Sequence, residues 1–472
     1  MLTHLRIKNF KAWEDTGDIR LAPLTVIFGA NSAGKSSLGH LLLALKQTVL
    51  STERRKALQL AGMNTLIDLG TYEDCVYQHD SSKNISFEVS WSEKLSIDKS
   101  LYNPSCDGNT LQLHVEFAYS KKNRKINAKE ISYLLLKDGI TQFDISYSID
   151  EIKNEFKLTS KINPRLDCDG FSYADKFYRL GATSIPPSRN LPVISDFALS
   201  TENVFNKIHY LGPLREIPKR LYLLADDTPE NVGQKGEHTI SAILNANRHL
   251  ARYGKEGTRM FSFDEIVAQS LYDLGLVYDF FIESIADDRR EHEVFVQINR
   301  NSPIVKITDV GFGISQVLPV LVQAYYAEDE STVLMEQPEV HLHPQVQAGL
   351  ADIFIDAIHV HKMEKWRTVT LPGDSEPSEQ VRDFGTRNVQ LIIESHSEHF
   401  LTRLQRRIAE EALSPEEVAI YFVDNKEGKA TIEELRINEY GEIENWPENF
   451  FGDEMGDLIA RTEAAIKRRQ QR

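Results

Sequence analysis

Cysteine is scarce in this 472-residue chain. Cys75, Cys106 and Cys168 are too few and too scattered for a disulfide framework or a paired-cysteine zinc site, which points to a reducing compartment. No apolar run reaches the ~18 residues of a membrane span, and the opening MLTHLRIKNFKAW lacks the apolar centre of a secretion signal, so the expectation is a cytoplasmic protein with no membrane partner. An excess of basic residues is also missing. Lys and Arg number 54 against 70 Asp and Glu, a formal net charge of −16, which opposes nucleic-acid binding by net charge alone and leaves only a local basic site open to it. Internal repeats and low-complexity tracts are absent. With 41% hydrophobic and 26% charged residues the composition is globular, and the length suggests two or three structural units at roughly 150 residues each.

Period-two alternation in the first 30 residues (Leu5, Ile7, then Leu24, Val26, Phe28) predicts two strands ending at a glycine-rich turn, and Lys35 to about Leu50 has helical periodicity. From about Ile85 to Ser160, runs such as ISFEVSW, LQLHVEFAY and FDISYSI between polar clusters predict an antiparallel sheet of hairpins. Helical patterns dominate from about Asp196 to Gly275, including ISAILNANRHLARY, before a β-rich stretch leads into a helix near Ser315–Tyr326. Strands and helices then alternate: TVLMEQ, a helix from Pro344 to His361, QLIIES, a helix from Glu398 to Leu413, VAIYFVDN and KATIEELRI. This order predicts an α/β fold with a mostly parallel sheet and flanking helices. Residues 368–386 read as a polar loop.

Gly29-Ala30-Asn31-Ser32-Ala33-Gly34-Lys35-Ser36 is a complete G-x-x-x-x-G-K-[ST] between a predicted strand and a predicted helix. Its glycines let backbone wrap closely around phosphate, and the helix start presents free amides to it. Lys35 is assigned to the β- and γ-phosphates of a bound nucleotide, Ser36 to Mg²⁺, and Ser37 to an α-phosphate contact. The apolar strand before Glu336-Gln337-Pro338-Glu339 delivers acids at a carboxyl end, where ligands of open parallel sheets gather, and Glu336 is assigned to the Mg²⁺ shell. A second such strand ends at Glu394-Ser395-His396, with His396 within reach of a γ-phosphate or attacking water. Gly311, Gly313, Ser315 and Gln316 precede an apolar helix and offer a further phosphate-binding device, or an ordinary helix cap.

In this order the four elements resemble the ATP-binding-cassette ATPases of the SMC/RecF/OLD branch. Tyr210-Leu-Gly-Pro-Leu-Arg215, Glu336-Gln-Pro-Glu-Val-His-Leu-His-Pro344, Glu394-Ser-His-Ser-Glu-His399 and Asn445-Trp-Pro-Glu-Asn-Phe-Phe451 are similar to its stand-alone bacterial ATPases with a short C-terminal domain of unknown function. The resemblance implies an ATPase head with an antiparallel β subdomain and a helical insertion. Its divisions fall at 1–80 (P-loop lobe), 81–200 (β-rich), 201–300 (helical), 301–430 (signature, Walker B and switch histidine) and 431–472 (extension). It also implies a homodimer or higher homo-oligomer that sandwiches ATP. Gly311, Gly313, Ser315 and Gln316 then act in trans, Glu336 is the Walker B acid and His396 the switch histidine. Where many relatives place a general-base carboxylate, this chain has Gln337; Glu339 is the alternative base, or hydrolysis is slow.

Such ATPases resemble components of antiphage systems such as Septu and PARIS, so a nuclease or toxin effector is the implied partner. A RecF- or SMC-like DNA-clamping ATPase is the alternative, although no long heptad coiled coil separates P-loop and signature. An OLD-type nuclease is disfavoured by the short stretch after His396. His341, His343, His359 and His361 have metal-like spacing without a completing cluster. Lys121, Lys122, Arg124, Lys125 and Lys129 read as a solvated hairpin turn with possible DNA contact as the other reading, and Ile466–Arg472 as a helix end.

Overall fold

The computed structural model describes the chain apart from residues 64, 98–105, 151–154, 164–167, 172–173, 181–191, 225–226, 249–250, 255–259, 287–288, 368–378, 427, 448–460, 462–467 and 469–472. The end of the Asn445–Phe451 segment and all of the basic tail but Arg468 therefore lie outside the described residues.

A six-stranded sheet positions the site. Its order is Ile208–Leu211, Thr332–Glu336, Gln390–Glu394, Leu24–Gly29, Val418–Lys426 and Lys429–Glu434. The first five strands run parallel and the last returns antiparallel. Strands of this kind are buried on both faces, which is why TVLM and LIIE are continuous apolar runs. Alternation sorts their side chains. Ile27, Leu334, Ile392 and Tyr421 join the core beneath the helix Lys35–Leu50, whereas Val26, Val333, Met335, Leu391 and Ile393 join the core with the helices Phe312–Tyr326, Pro344–His359 and Glu398–Ala409. Arg387, buried between two of those helices, donates to Tyr325 O (2.5 Å), Ala327 O (2.8 Å) and Ala357 O (3.3 Å), satisfying carbonyls that both helix ends leave open.

The antiparallel sheet of hairpins is present. It runs Cys168–Phe171, Glu155–Thr159, Ile140–Asp150, Lys125–Lys137, Cys106–Ser120, Ile85–Ile97, Leu2–Phe10 and Trp13–Asp15, with Ile19–Arg20 also on Leu2–Phe10. The opening therefore holds four strands rather than two, and the first is in this sheet, not beside the P-loop strand. Gln390 ties the sheets together. Its side chain accepts from Leu2 N (3.2 Å) and donates to Leu2 O (2.8 Å) and Ala22 O (3.1 Å).

The stretch expected to be helical is mixed. Pro192–Asn206, Thr239–Arg248 and Phe263–Asp273 are helices, but Tyr222–Leu223 is a strand, and it joins the expected β-rich stretch, Asp279–Ser284, Glu291–Gln297 and Ile304–Lys306, in a four-stranded sheet. The helix expected through Tyr253 stops at Arg248. Ala251–Gly254 is a strand paired with His361–Arg367, and that strand pairs in turn with Glu379–Thr386, where the sequence predicts loop. Ala251–Gly254 and His361–Arg367 are over 100 residues apart in the chain, so no local pattern announces their pairing. Among the described residues no helix is long and apolar enough to cross a membrane.

Candidate functional site

The strand Leu24–Gly29 ends at a residue that must be glycine. Gly29 has φ +146°, and a Cβ there would lie 2.1 Å from Val423 O. Ala30, Asn31 and Ser32 are exposed, Ala33 is buried, and Gly34 (φ +110°) begins the helix Lys35–Leu50 without a side-chain cap. The first amides of that helix consequently lack side-chain partners at an exposed loop, a fit for phosphate.

Lys35 is buried, and its ammonium donates to Ala30 O (2.7 Å) and Gly29 O (3.0 Å) while standing 3.9 Å from Glu394 Oε1. Burial pushes it below the usual lysine range, with Glu394 and Glu339 opposing. Ser36 follows Lys35 in the first turn of the helix Lys35–Leu50, and its hydroxyl is among the groups that oppose the rise of the Glu394 carboxyl. Ser37 turns inward: its hydroxyl donates to Gly34 O and accepts from Trp13 Nε1 (3.1 Å), so the structure gives it a packing role where the sequence suggests phosphate contact.

Two neighbouring strands bring their acids to this loop. Glu336 and Glu394 are register partners at the ends of Thr332–Glu336 and Gln390–Glu394, and Glu394 is paired with Ile27 on the other side. Glu336 Oε1 accepts from Tyr210 Oη (3.1 Å) and lies 3.2 Å from His40 Nε2. Burial lifts the Glu394 carboxyl above the usual range; Glu336 adds to the lift, and Ser36, Lys35 and His40 oppose it. Ser36 and the two carboxylates thus supply hard oxygen atoms suited to Mg²⁺.

Gln337 has a left-handed backbone (φ +46°), its N–H donates to Glu394 O (2.8 Å), and its carbonyl accepts from Arg215 (3.2 Å). Glu339 is buried and accepts from His396 N at 2.6 Å, so these two assigned residues meet through backbone. Burial raises the Glu339 carboxyl and lowers the His396 imidazole, whose Nε2 is buried without a partner among the described residues.

Gly311, Gly313, Ser315 and Gln316 sit apart, at the start of Phe312–Tyr326. A Cβ on either glycine would meet nothing within 4 Å, and Phe312 between them is 64% exposed. Ser315 donates to Phe312 O (2.8 Å). Among the described residues no hydrogen bond or ion pair joins this group to Gly29–Ser37, Glu336 or His396. His343 is a helix cap, accepting from Gln345 N, and His359 pairs with Glu417 (3.0 Å).

Sequence reasoning does not assign His40, Tyr210, Arg215 or Glu394 to the site. Glu394 carried a usable signal, an acid ending an apolar strand just before His396. His40 lies five residues beyond Lys35 on the same helix, but nothing local links it to residue 336.

The chain matches the AAA ATPase domain over residues 1–181 and 226–401, and a protein of unknown function (DUF3696) over residues 413–460. No curated protein matches it. Among solved structures it is similar to an SMC head bound to the C-terminal winged-helix domain of ScpA, at 11% identity over 93% of this chain and 98% of the other, with TM-score 0.44. An SMC head domain from Thermotoga maritima aligns at 12% identity over 92% and 99%, with TM-score 0.38. Because the family match spans most of the sequence and carries the P-loop with both acid-bearing strands, the chain belongs to the AAA ATPase domain family.

Proposed function

We propose that this protein binds and hydrolyses ATP with Mg²⁺ and serves as a nucleotide-dependent switch. The observation that carries the reading is the convergence of Lys35, Ser36, Glu336 and Glu394 beside the uncapped start of Lys35–Leu50. Lys35 and the loop amides hold the phosphates, and Ser36 and Glu336 hold the cation. Bound Mg²⁺ neutralises charge developing on the transferred phosphoryl group. His396 stands at the end of the adjacent strand to contact the γ-phosphate side. Gln337 orients water but accepts a proton poorly, so turnover is slow and the ATP-bound state long-lived.

Gly311, exposed, and Gly313, half-buried with open space where a Cβ would stand, are remote in contacts from the chain's own P-loop and support a reading in which a second copy's nucleotide meets them, making the ATP-bound form a homodimer. The resemblance to stand-alone defence ATPases extends this to control of a nuclease or toxin effector in the bacterial cytoplasm. Measured ATP binding, phosphate release and sedimentation test the core of it: Lys35→Ala is expected to lose binding and Glu336→Gln to retain binding and accumulate dimer. A Lys35→Ala protein with wild-type affinity for ATP sinks the reading. Pull-downs from the host with and without Lys35→Ala test the effector.

One observation favours DNA as an additional contact. Lys121, Lys122, Arg124 and Lys125 are exposed at the tip of the hairpin joining Cys106–Ser120 to Lys125–Lys137. DNA-stimulated turnover that falls when these are neutralised is the expected result under that reading.

A further inference from the structure

The loop after the edge strand Ile208–Leu211 places an arginine in an uncommon role. Parallel pairing with Thr332–Glu336 ends at Leu211 opposite Met335, and the chain then turns away, Gly212 N donating to Gln234 O. The last carbonyls of the acid strand are left without a strand neighbour on that side. Arg215, only 9% exposed, returns to fill the gap: Nη2 donates to Glu336 O (3.2 Å), and Nη1 to Gln337 O (3.2 Å) and Pro213 O (2.9 Å).

A buried guanidinium normally takes a carboxylate in bidentate fashion. This one instead bridges two successive peptide carbonyls, at the point where Gln337 enters the left-handed region. The same edge strand reaches the Glu336 carboxylate through Tyr210 Oη. Glu336 is thereby held through its side chain by the edge strand and through its backbone by the loop that follows it. The neighbouring strand holds the opposite side, with Gln337 N donating to Glu394 O (2.8 Å). Five residues beyond Arg215, Arg220 pairs with Asp309 (3.0 Å), two residues before Gly311. That pair is solvent-exposed and weak, so the loop is fixed firmly at the acid strand and loosely at the helix start.

We infer that Arg215 is a positioning residue for the reaction: by bridging the Glu336 and Gln337 carbonyls it sets where the Glu336 carboxylate and the Gln337 side chain stand relative to the P-loop. The inference rests on the ATPase reading for its catalytic consequence, but its structural part does not.

The test uses the full-length protein as wild type, Arg215→Met and Arg215→Lys. Lysine keeps charge and stem but lacks the planar fork that spans two carbonyls. Hydrogen exchange of the nucleotide-free protein is expected to speed up in the segment around residues 336–340 in both variants, with Gly29–Ser37 unchanged. ATP affinity is expected to stay within about threefold, while kcat falls about tenfold or more and the Mg²⁺ concentration for half-maximal rate rises. If Arg215→Met does not fold, Arg215→Lys is read alone. Unchanged exchange at 336–340, or ATP affinity and kcat falling together with a general loosening of the fold, overturns the inference. A wild-type protein that binds no ATP overturns the ATPase reading instead, and the exchange result still decides whether Arg215 holds the acid strand.

Discussion

Glu336 and Glu394 end adjacent parallel strands as register partners, two carboxylates on neighbouring strands, Glu394 3.9 Å from Lys35 and Glu336 3.2 Å from His40. Without a cation between them, like charge at this separation is unfavourable, and burial adds to the cost of ionising Glu394. The arrangement is destabilising in the empty protein and suited to a bound divalent cation. Function and stability therefore pull in opposite directions here.

Glu394→Gln makes that opposition measurable. The folded state holds the Glu394 proton more tightly than the unfolded chain, so the folded protein is penalised as pH rises through the usual carboxylate range and above it. The neutral variant is expected to melt at higher temperature than wild type at pH 7 to 8, with the difference vanishing in acid, and to hydrolyse ATP more slowly. Paired thermal melts and phosphate release read both halves.

Gln337→Glu is expected to raise kcat by about tenfold or more, because it restores a proton acceptor beside Glu336. Backbone bonds to Glu394 O and from Arg215 fix this residue independently of its side chain, so the exchange leaves the turn in place. Single-turnover phosphate release is the measurement, and equal rates would falsify the slow-switch reading.

Gly29→Ala is expected to cost about 3 kcal/mol or more, since its Cβ has to displace the Val423 carbonyl at 2.1 Å and the backbone is held at φ +146°. Val423 belongs to the neighbouring strand and cannot retreat without breaking the sheet. Urea unfolding, or loss of soluble protein, reports it.

His209 supplies an acid-side prediction far from nucleotide chemistry. It is 4% exposed on the edge strand, and burial with the nearby Lys46 charge pushes its imidazole down to about 4. An unfolded histidine takes its proton near pH 6.5. Between those values the unfolded state binds more protons, so stability is lost as pH falls from about 6.5 to about 4, by about 3 kcal/mol in total. Urea midpoints of wild type and His209→Gln at pH 7 and pH 5 isolate it: the gap between them shifts in favour of the variant at the lower pH.

The parts of the site legible in the sequence are those written in one uninterrupted stretch. Gly29–Ser36, Glu336–Glu339 and Glu394–His396 each follow a doubly buried apolar strand, and parallel-sheet physics alone puts their polar ends at one edge. Tyr210, His40 and Arg215 reach the same place across sequence gaps, through neighbouring strands or a helix face, and a polar residue on such an element looks like any other until its partner is known. The strand Ala251–Gly254 escaped notice for the same reason: its hydrogen bonds go to His361–Arg367. The inward turn of the Ser37 hydroxyl is not legible either, because it depends on Trp13, a residue of the other sheet.

The P-loop strand lies between Gln390–Glu394 and Val418–Lys426, so both of its hydrogen-bonded neighbours are made more than 350 residues later. Leu2–Phe10, by contrast, finds its partner Ile85–Ile97 early. During synthesis the hairpin sheet can close while Leu24–Gly29 still waits with open edges. Long-range parallel pairing of this kind is slow and exposes the chain to misassociation. The phosphate loop is consequently among the last features to take shape, and a truncated chain that stops short of Val418 presents Gly29–Ser36 without the wall that shapes it. Nucleotide binding by this protein is then also a report that translation reached the far side of the sheet.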